Sequence, residues 1–352
     1  MLSEVVEIAE VDDSRELVIA NNETTLSMLQ DKADAIQSKC EDYDVVGVQN
    51  IHHDGIFLRY QPVGDSEVRT AEFTDYSLGQ LCNKIGVPRR YIDKCLEAGM
   101  TDLISRNMNE WIEQHNRNFF IREYKDNDKI KIRGVLSDRY TTLDSPDIVR
   151  QLRSTFNEDD YKVKGYFISP ERFHLRLVQR EMLNINGEDL FAGIQIDSSD
   201  VGRSPLVVRF MIYKQVCTNG MTVSKGEGLL YHQRHIGISR EEFASEFEKS
   251  LEKLPILVAN AKELIEEARL DTKGYRITHY KPDELESFIN RIKSQTGLAD
   301  EPVAKVIDFM TNKYSETRWG LINALTEVAQ DFTLERRIDL EKVAGELLLK
   351  VA

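Results

Sequence analysis

The chain has 352 residues, of which 41% are hydrophobic and 30% charged, and its formal net charge is −14. This length buries a sizeable core in one large or two medium domains, and the composition is that of a globular protein, not a disordered or fibrous one. The charge argues against indiscriminate coating of nucleic acid, and the lack of any long unbroken apolar run argues against a membrane span.

The charge is unevenly spread. Residues 1–75 hold 17 Asp/Glu against 5 Lys/Arg, residues 76–240 hold 25 Lys/Arg against 21 Asp/Glu, and residues 241–352 return to an acidic balance of 22 against 16. Three regions follow: an acidic N-terminal region (1–75) with a short helix and a hairpin, a basic hairpin core (76–240), and a helical C-terminal region (241–352). Screening confines each charge to roughly 10 Å, so a local basic groove is compatible with an acidic whole.

In chain order, residues 1–22 read as a loose acidic arm without the features of a signal peptide, so the cytoplasm is expected. Leu26, Met28, Leu29, Ala33 and Ile36 fit a short amphipathic helix within 23–40. Asp54-Gly55 lies between apolar runs and predicts a tight hairpin. Residues 76–114 are helical in period, with Gly86 and Pro88 at a break. Hairpins are predicted for 118–125 with 129–136, for 161–168 with 173–180, and for 190–196 with 206–216, and Pro146 opens a helix between the first two. From about Ile238 the chain reads as helical, with starts at Ser239, Pro282 and Pro302 and one long apolar stripe over 243–268. The expected class is α+β: an antiparallel, hairpin-rich sheet with short helices, then a helical region.

The strands carry cations. Lys129, Lys131 and Arg133 alternate with isoleucines and should share one face, with Arg122 on the partner strand. Lys162 with Lys164, His174 with Arg176 and Arg180, and Arg209 with Tyr213 repeat the pattern, and aromatics are interleaved throughout. If the faces agree, the strands present a basic trough for phosphates and bases. Arg139-Tyr140 ends a strand, where a cation and a ring suit a phosphate and a base. Residues 78–97 look like a helix-turn-helix with Cys82 at the close contact, Gly86 at the turn, and Arg89, Arg90 and Tyr91 opening the second helix. Any tight helical hairpin has the same requirements.

Catalytic signatures are missing. The sequence has no phosphate-binding glycine loop, dinucleotide fingerprint or nucleophile elbow. Cys40, Cys82, Cys95 and Cys217 are dispersed and read as reduced thiols. His52 and His53 point to opposite strand faces, and His232 and His235 lack further ligands, so neither a metal nor a cofactor is expected.

Four segments occur in a familiar order: Leu136-Ser137-Asp138-Arg139-Tyr140, Val216-Cys217-Thr218-Asn219-Gly220-Met221, Arg234-His235, and Trp319-Gly320-Leu321-Ile322-Asn323-Ala324-Leu325-Thr326. Together, over roughly residues 70–335, they resemble a phage- and plasmid-encoded family of domains of unknown function. The resemblance implies a mobile-element setting and supplies no catalytic residues. A more distant similarity is to single-strand annealing proteins of the Rad52-like and phage recombinase type, which implies a curved hairpin sheet, oligomeric rings and DNA in a basic groove. The expected function is binding of single-stranded DNA in annealing or recombination, by a homo-oligomer working with a phage or host replication or recombination protein. The alternatives are a protein-interaction module acting on host replication or defence, and a duplex-reading regulator using residues 78–97.

Overall fold

The computed structural model describes residues 18–20, 24–47, 51–115, 118–185, 187–214, 219–223 and 228–349. The acidic arm falls almost wholly outside the described residues, as do Cys217 and Thr218 of the second motif. The fold is α+β with a helical C-terminal region.

Strand β1 (Val18–Ile19) and helix α1 (Leu26–Gln37) precede β2 (Cys40–Val45), β3 (Ile51–Asp54), β4 (Phe57–Tyr60) and β5 (Arg69–Phe73). Helices α2 (Asp75–Ile85), α3 (Arg89–Glu97) and α4 (Thr101–Gln114) lead into the hairpin β6 (Phe119–Asp126) and β7 (Lys129–Leu136). Helix α5 (Ser145–Thr155) is followed by β8 (Tyr161–Ile168), β9 (Phe173–Gln179), β10 (Leu183–Ile185), β11 (Glu188–Ser198), β12 (Leu206–Lys214), β13 (Asn219–Val223) and β14 (Leu229–Gln233). The rest is helical: α6 (Arg240–Leu251), α7 (Leu254–Leu270), α8 (Pro282–Thr296), α9 (Asp300–Asp308), α10 (Arg318–Val328) and α11 (Leu334–Leu349).

The strands divide between two sheets. One has six strands in the order β2-β6-β7-β5-β4-β3, antiparallel except where β5 runs parallel to β7. The other has eight, in the order β1-β8-β9-β11-β12-β13, with β10 also on β11 and β14 also on β12. Each has its own apolar core. Residues 45–135 supply the first, where α2, α3 and α4 bury Leu81, Ile92 and Met108 against the six-stranded sheet. The second joins α1, α5, the eight-stranded sheet and the C-terminal helices. The boundary expected at residue 75 therefore runs through the six-stranded sheet, and α1 belongs to the larger core.

Local signals explain most element ends. Thr25, Thr74 and Ser239 accept hydrogen bonds from the backbone of α1, α2 and α6, and Gly86 closes α2 at φ +74°. Two expectations need correction. The apolar stripe over 243–268 is two helices, because Pro255 lacks the amide that an interior position requires and instead opens α7. Asn219-Gly220, expected to form a sharp turn, instead begins β13 and pairs with Lys214 and Tyr213. The β3–β4 hairpin forms as expected, one residue later than predicted, since Asp54 pairs with Phe57 and Gly55 takes φ +65°.

His53 on β3 is fully buried, stacks on Phe73 at 5.6 Å between centroids, and neither ring nitrogen has a hydrogen-bond partner. Burial lowers its pKa from 6.5 to about 4. A neutral folded imidazole means that the unfolded chain takes up the proton first, so stability present above pH 6.5 is lost as the pH falls towards 4. His53 alone should cost about 2 kcal/mol on going from pH 7.5 to about 5. Urea denaturation at the two pH values checks this, and His53→Leu should remove that share of the loss.

Candidate nucleic-acid interface

The predicted cations do not form one trough, because the hairpins that carry them belong to different sheets. Arg122, Lys129, Lys131 and Arg133 lie on β6 and β7 of the six-stranded sheet; Lys162, Lys164, Arg176, Arg209 and Tyr213 lie on the eight-stranded one. Nor is β7 an accessible row of cations. Lys129 is exposed with Glu72 at 3.6 Å, Lys131 donates to Asp126 at 2.6 Å, and Arg133 is fully buried. The hydrogen bond to Asp126 raises the pKa of Lys131.

Arg122 and Arg133 instead build a buried ionic centre. Arg122 donates to both carboxylate oxygens of Asp42 at 2.8 Å, to Asp144 at 2.7 Å, and to the carbonyl of Asp200. Arg133 donates to the Pro170 carbonyl at 2.7 Å and lies within 3.6–3.9 Å of Asp42, Asp144 and Asp200. Asp42 and the arginines come from the six-stranded sheet; Asp144 precedes α5, and Asp200 follows β11 of the other sheet. Burial would raise the carboxyl pKa of Asp144, but Arg122 outweighs it and the net shift is downward. Asp200 is pushed up to about 7, first by burial and then by Asp144, and its carboxylate accepts from the amide and hydroxyl of Ser145 at 3.1 and 3.0 Å.

This centre positions Tyr140. Its hydroxyl donates to the Asp200 carbonyl at 2.8 Å, and its ring stacks between Phe120 (6.2 Å) and His235 (5.4 Å). The amide of Thr141 donates to the His235 carbonyl at 2.9 Å, and Tyr140 bridges to Ile236. His235 is buried, which lowers its pKa to about 4, and its Nε2 lies 3.3 Å from the Ser198 hydroxyl. Two motifs distant in sequence, the Leu136–Tyr140 segment and Arg234-His235, thus meet in space.

They meet at an open pocket of about 290 Å³, whose other walls are the N-terminal approach to β12 and the end of α2. Lys84, Arg203 and Arg234 line it beside Tyr140 and His235, and no acidic side chain among the described residues does. Arg139, exposed, adjoins Tyr140. Arg203 also pairs with Glu335 of α11 at 3.0 Å and faces the Tyr76 ring. A larger hollow of about 380 Å³ on α8 includes Asp283 and Glu284 in its lining and touches none of the motif residues.

The remaining candidates serve other ends. Arg176 is buried against Glu341 of α11 at 2.6 Å, and Arg209 donates to Asp197 at 2.6 Å; Asp197 also meets His174 at 2.8 Å. Burial would raise the pKa of Asp197, but His174 and Arg209 carry it well below the usual carboxylate range. Tyr213 is buried and offers no platform for a base. In the helical hairpin, Ile92 and Cys95 are buried as the pattern predicts, while Arg89 holds Asp75 and Asp93, each at 2.6 Å. Arg90 and Tyr91 are exposed, and the Tyr91 hydroxyl accepts from Asn107. Trp319 donates to Glu188 at 2.9 Å and Asn323 donates to the Trp319 carbonyl at 2.8 Å. A Cβ on Gly320 would stand 1.7 Å from the Ser315 carbonyl oxygen, so the last motif is a packing motif.

Lys84 and Arg203 escaped sequence reasoning. Neither sits in an alternating strand: Lys84 lies near the end of α2, within the segment read as a helix-turn-helix, and Arg203 lies in the loop between β11 and β12. Among the described residues, no group of His, Cys, Asp and Glu is arranged to hold a metal ion, and no helix is long and apolar enough to cross a membrane. No family model, curated protein or solved structure matches the chain.

Removing one partner of a buried ionic centre strands the others in a medium that solvates them poorly. Arg122→Met should cost about 3–5 kcal/mol, whereas Lys129→Ala, at the surface, should stay within about 0.5 kcal/mol of the parent. Urea denaturation of the two variants checks the contrast.

Proposed function

We propose that the protein is a phage-type single-stranded DNA-binding protein that seats the strand at the Tyr140–Arg234 cleft and serves annealing or recombination without covalent chemistry. The observation that carries this reading is the lining of the cleft, where Lys84, Arg203 and Arg234 converge and no described residue is acidic, in a chain whose net charge is −14. Cations from separate elements suit successive phosphates of a flexible strand, and Tyr140, stacked between Phe120 and His235, forms part of the wall. The motif resemblance supplies the mobile-element setting. A duplex-reading role for α3 is less well supported, since Arg89 is committed to two carboxylates.

Fluorescence anisotropy with a labelled oligothymidylate, titrated with salt, tests the proposal. Affinity should fall steeply with salt, with a logarithmic slope of about −0.7 for each phosphate neutralised. Arg234→Ala should weaken binding and flatten the slope by about that one contact, while Lys131→Ala should leave both unchanged. An Arg234→Ala protein that binds like the parent rules out the cleft, and no binding by the parent at low salt rules out the function.

A further inference from the structure

A second concentration of positive charge lies far from the cleft. Strand β12 leaves the cleft at Leu206 and reaches Tyr213 seven residues on, a span of about 23 Å. There Tyr213 pairs across the ladder with Phe191, and two lysines of β8 lie over the rings. The Lys162 ammonium is 3.9 Å from the Phe191 centroid; the Lys164 ammonium is 5.3 Å from both the Phe191 and the Tyr213 centroids. Both lysines are half-buried, and neither pairs with a carboxylate among the described residues.

Apart from Arg139 and Arg180, every other strand cation singled out above has a carboxylate within 4 Å. Arg180, exposed, donates instead to the Glu158 carbonyl, and its charge acts on Lys162. Arg176 is paired across the ladder with Gly165, the residue after Lys164. Arg176 is 1% exposed, and its Nε and Nη1 have no acceptor. Its one carboxylate partner, Glu341, is shared with Arg337. A ring face attracts an ammonium without neutralising it, so the site keeps several like charges and open donors. Burial first, and for Lys162 its like-charged neighbours next, pull the pKa of each lysine down.

We propose that Lys162 and Lys164 form a binding site for a phosphate group, distinct from the cleft, with Phe191 and Tyr213 holding the two ammoniums in place. A tetrahedral oxyanion offers acceptors to both ammoniums at once and removes their mutual repulsion. The phosphate is either a free one or that of a nucleic-acid backbone.

Amine acylation of the native protein, read by peptide mass spectrometry, tests this first. Inorganic phosphate, against chloride at equal ionic strength, should slow labelling of Lys162 and Lys164 at least about threefold and leave Lys129 unaffected; equal rates overturn the site. The double variant Lys162→Gln, Lys164→Gln, which sheds the repulsion and should fold, gives a second readout. Its phosphate affinity by calorimetry should fall at least about tenfold, while Lys129→Ala retains the parent value; an unchanged affinity in the double variant overturns the site. The oligothymidylate salt slope separates the two sources. A flatter slope in the double variant assigns a backbone phosphate, and an unchanged slope with lost phosphate binding assigns a free one.

Discussion

The structure depends on one buried cluster of charges. Arg122 and Arg133 carry two positive charges into the junction between the sheets, where Asp42, Asp144 and Asp200 meet them. Placing charges there is expensive, and only dense mutual pairing offsets the loss of water. The cost makes the junction specific. If the sheets slide against each other, guanidiniums and carboxylates separate in a poorly solvating medium, so the two cores have one register in which the charges balance. Burial and the neighbouring Asp144 push the Asp200 carboxyl up to about 7, so it is the carboxylate of the cluster that takes up a proton most readily.

The cleft is a consequence of that register. The Asp200 carbonyl takes part twice, accepting from Arg122 and from the Tyr140 hydroxyl. Through it the ionic centre sets the ring of Tyr140, and that ring sets His235 by stacking. His235 stays neutral under burial, so the charge of the pocket comes from Lys84, Arg203 and Arg234 at its walls, not from its floor. Negative charge spread over the rest of the surface is screened within about 10 Å, so the pocket keeps its own sign.

Much of the local structure was legible in the sequence. Apolar spacing, caps and turn residues located α1, α2, α3, α5 and the three long hairpins, because these signals act over a few residues and tertiary packing did not override them; α4 was read only as the end of one helical stretch. Strands β1, β5, β10, β13 and β14 were missed: they are short and obtain their order from neighbours distant in the chain. The larger failure concerned faces. Alternation puts Arg133 and Lys131 on one side of β7, but the ladder slips at Arg133, and nothing local says that the turn before α5 and the loop after β11 bring carboxylates to it. The cleft was half legible. Its two motifs could be singled out, whereas their convergence depends on how the sheets pack, and that depends on pairings across 80 residues, such as Arg122 with Asp42.

The division of labour between the two cations follows from their chemistry. The deeply buried strand cations Arg122, Arg133 and Arg176 are all arginines, and each meets acceptors from more than one element or a carboxylate brought by α11. A guanidinium is weakly hydrated and presents a planar fork of donors, so it can be desolvated and still satisfied from several directions. An ammonium is a compact, strongly hydrated point charge, and β8 keeps its lysines half in water, propped on aromatic rings. A repeated Lys/Arg pattern along strands therefore contains two populations: buried arginines such as Arg122, Arg133 and Arg176 act as internal cross-links, and the lysines of β8 keep their charge at the water boundary.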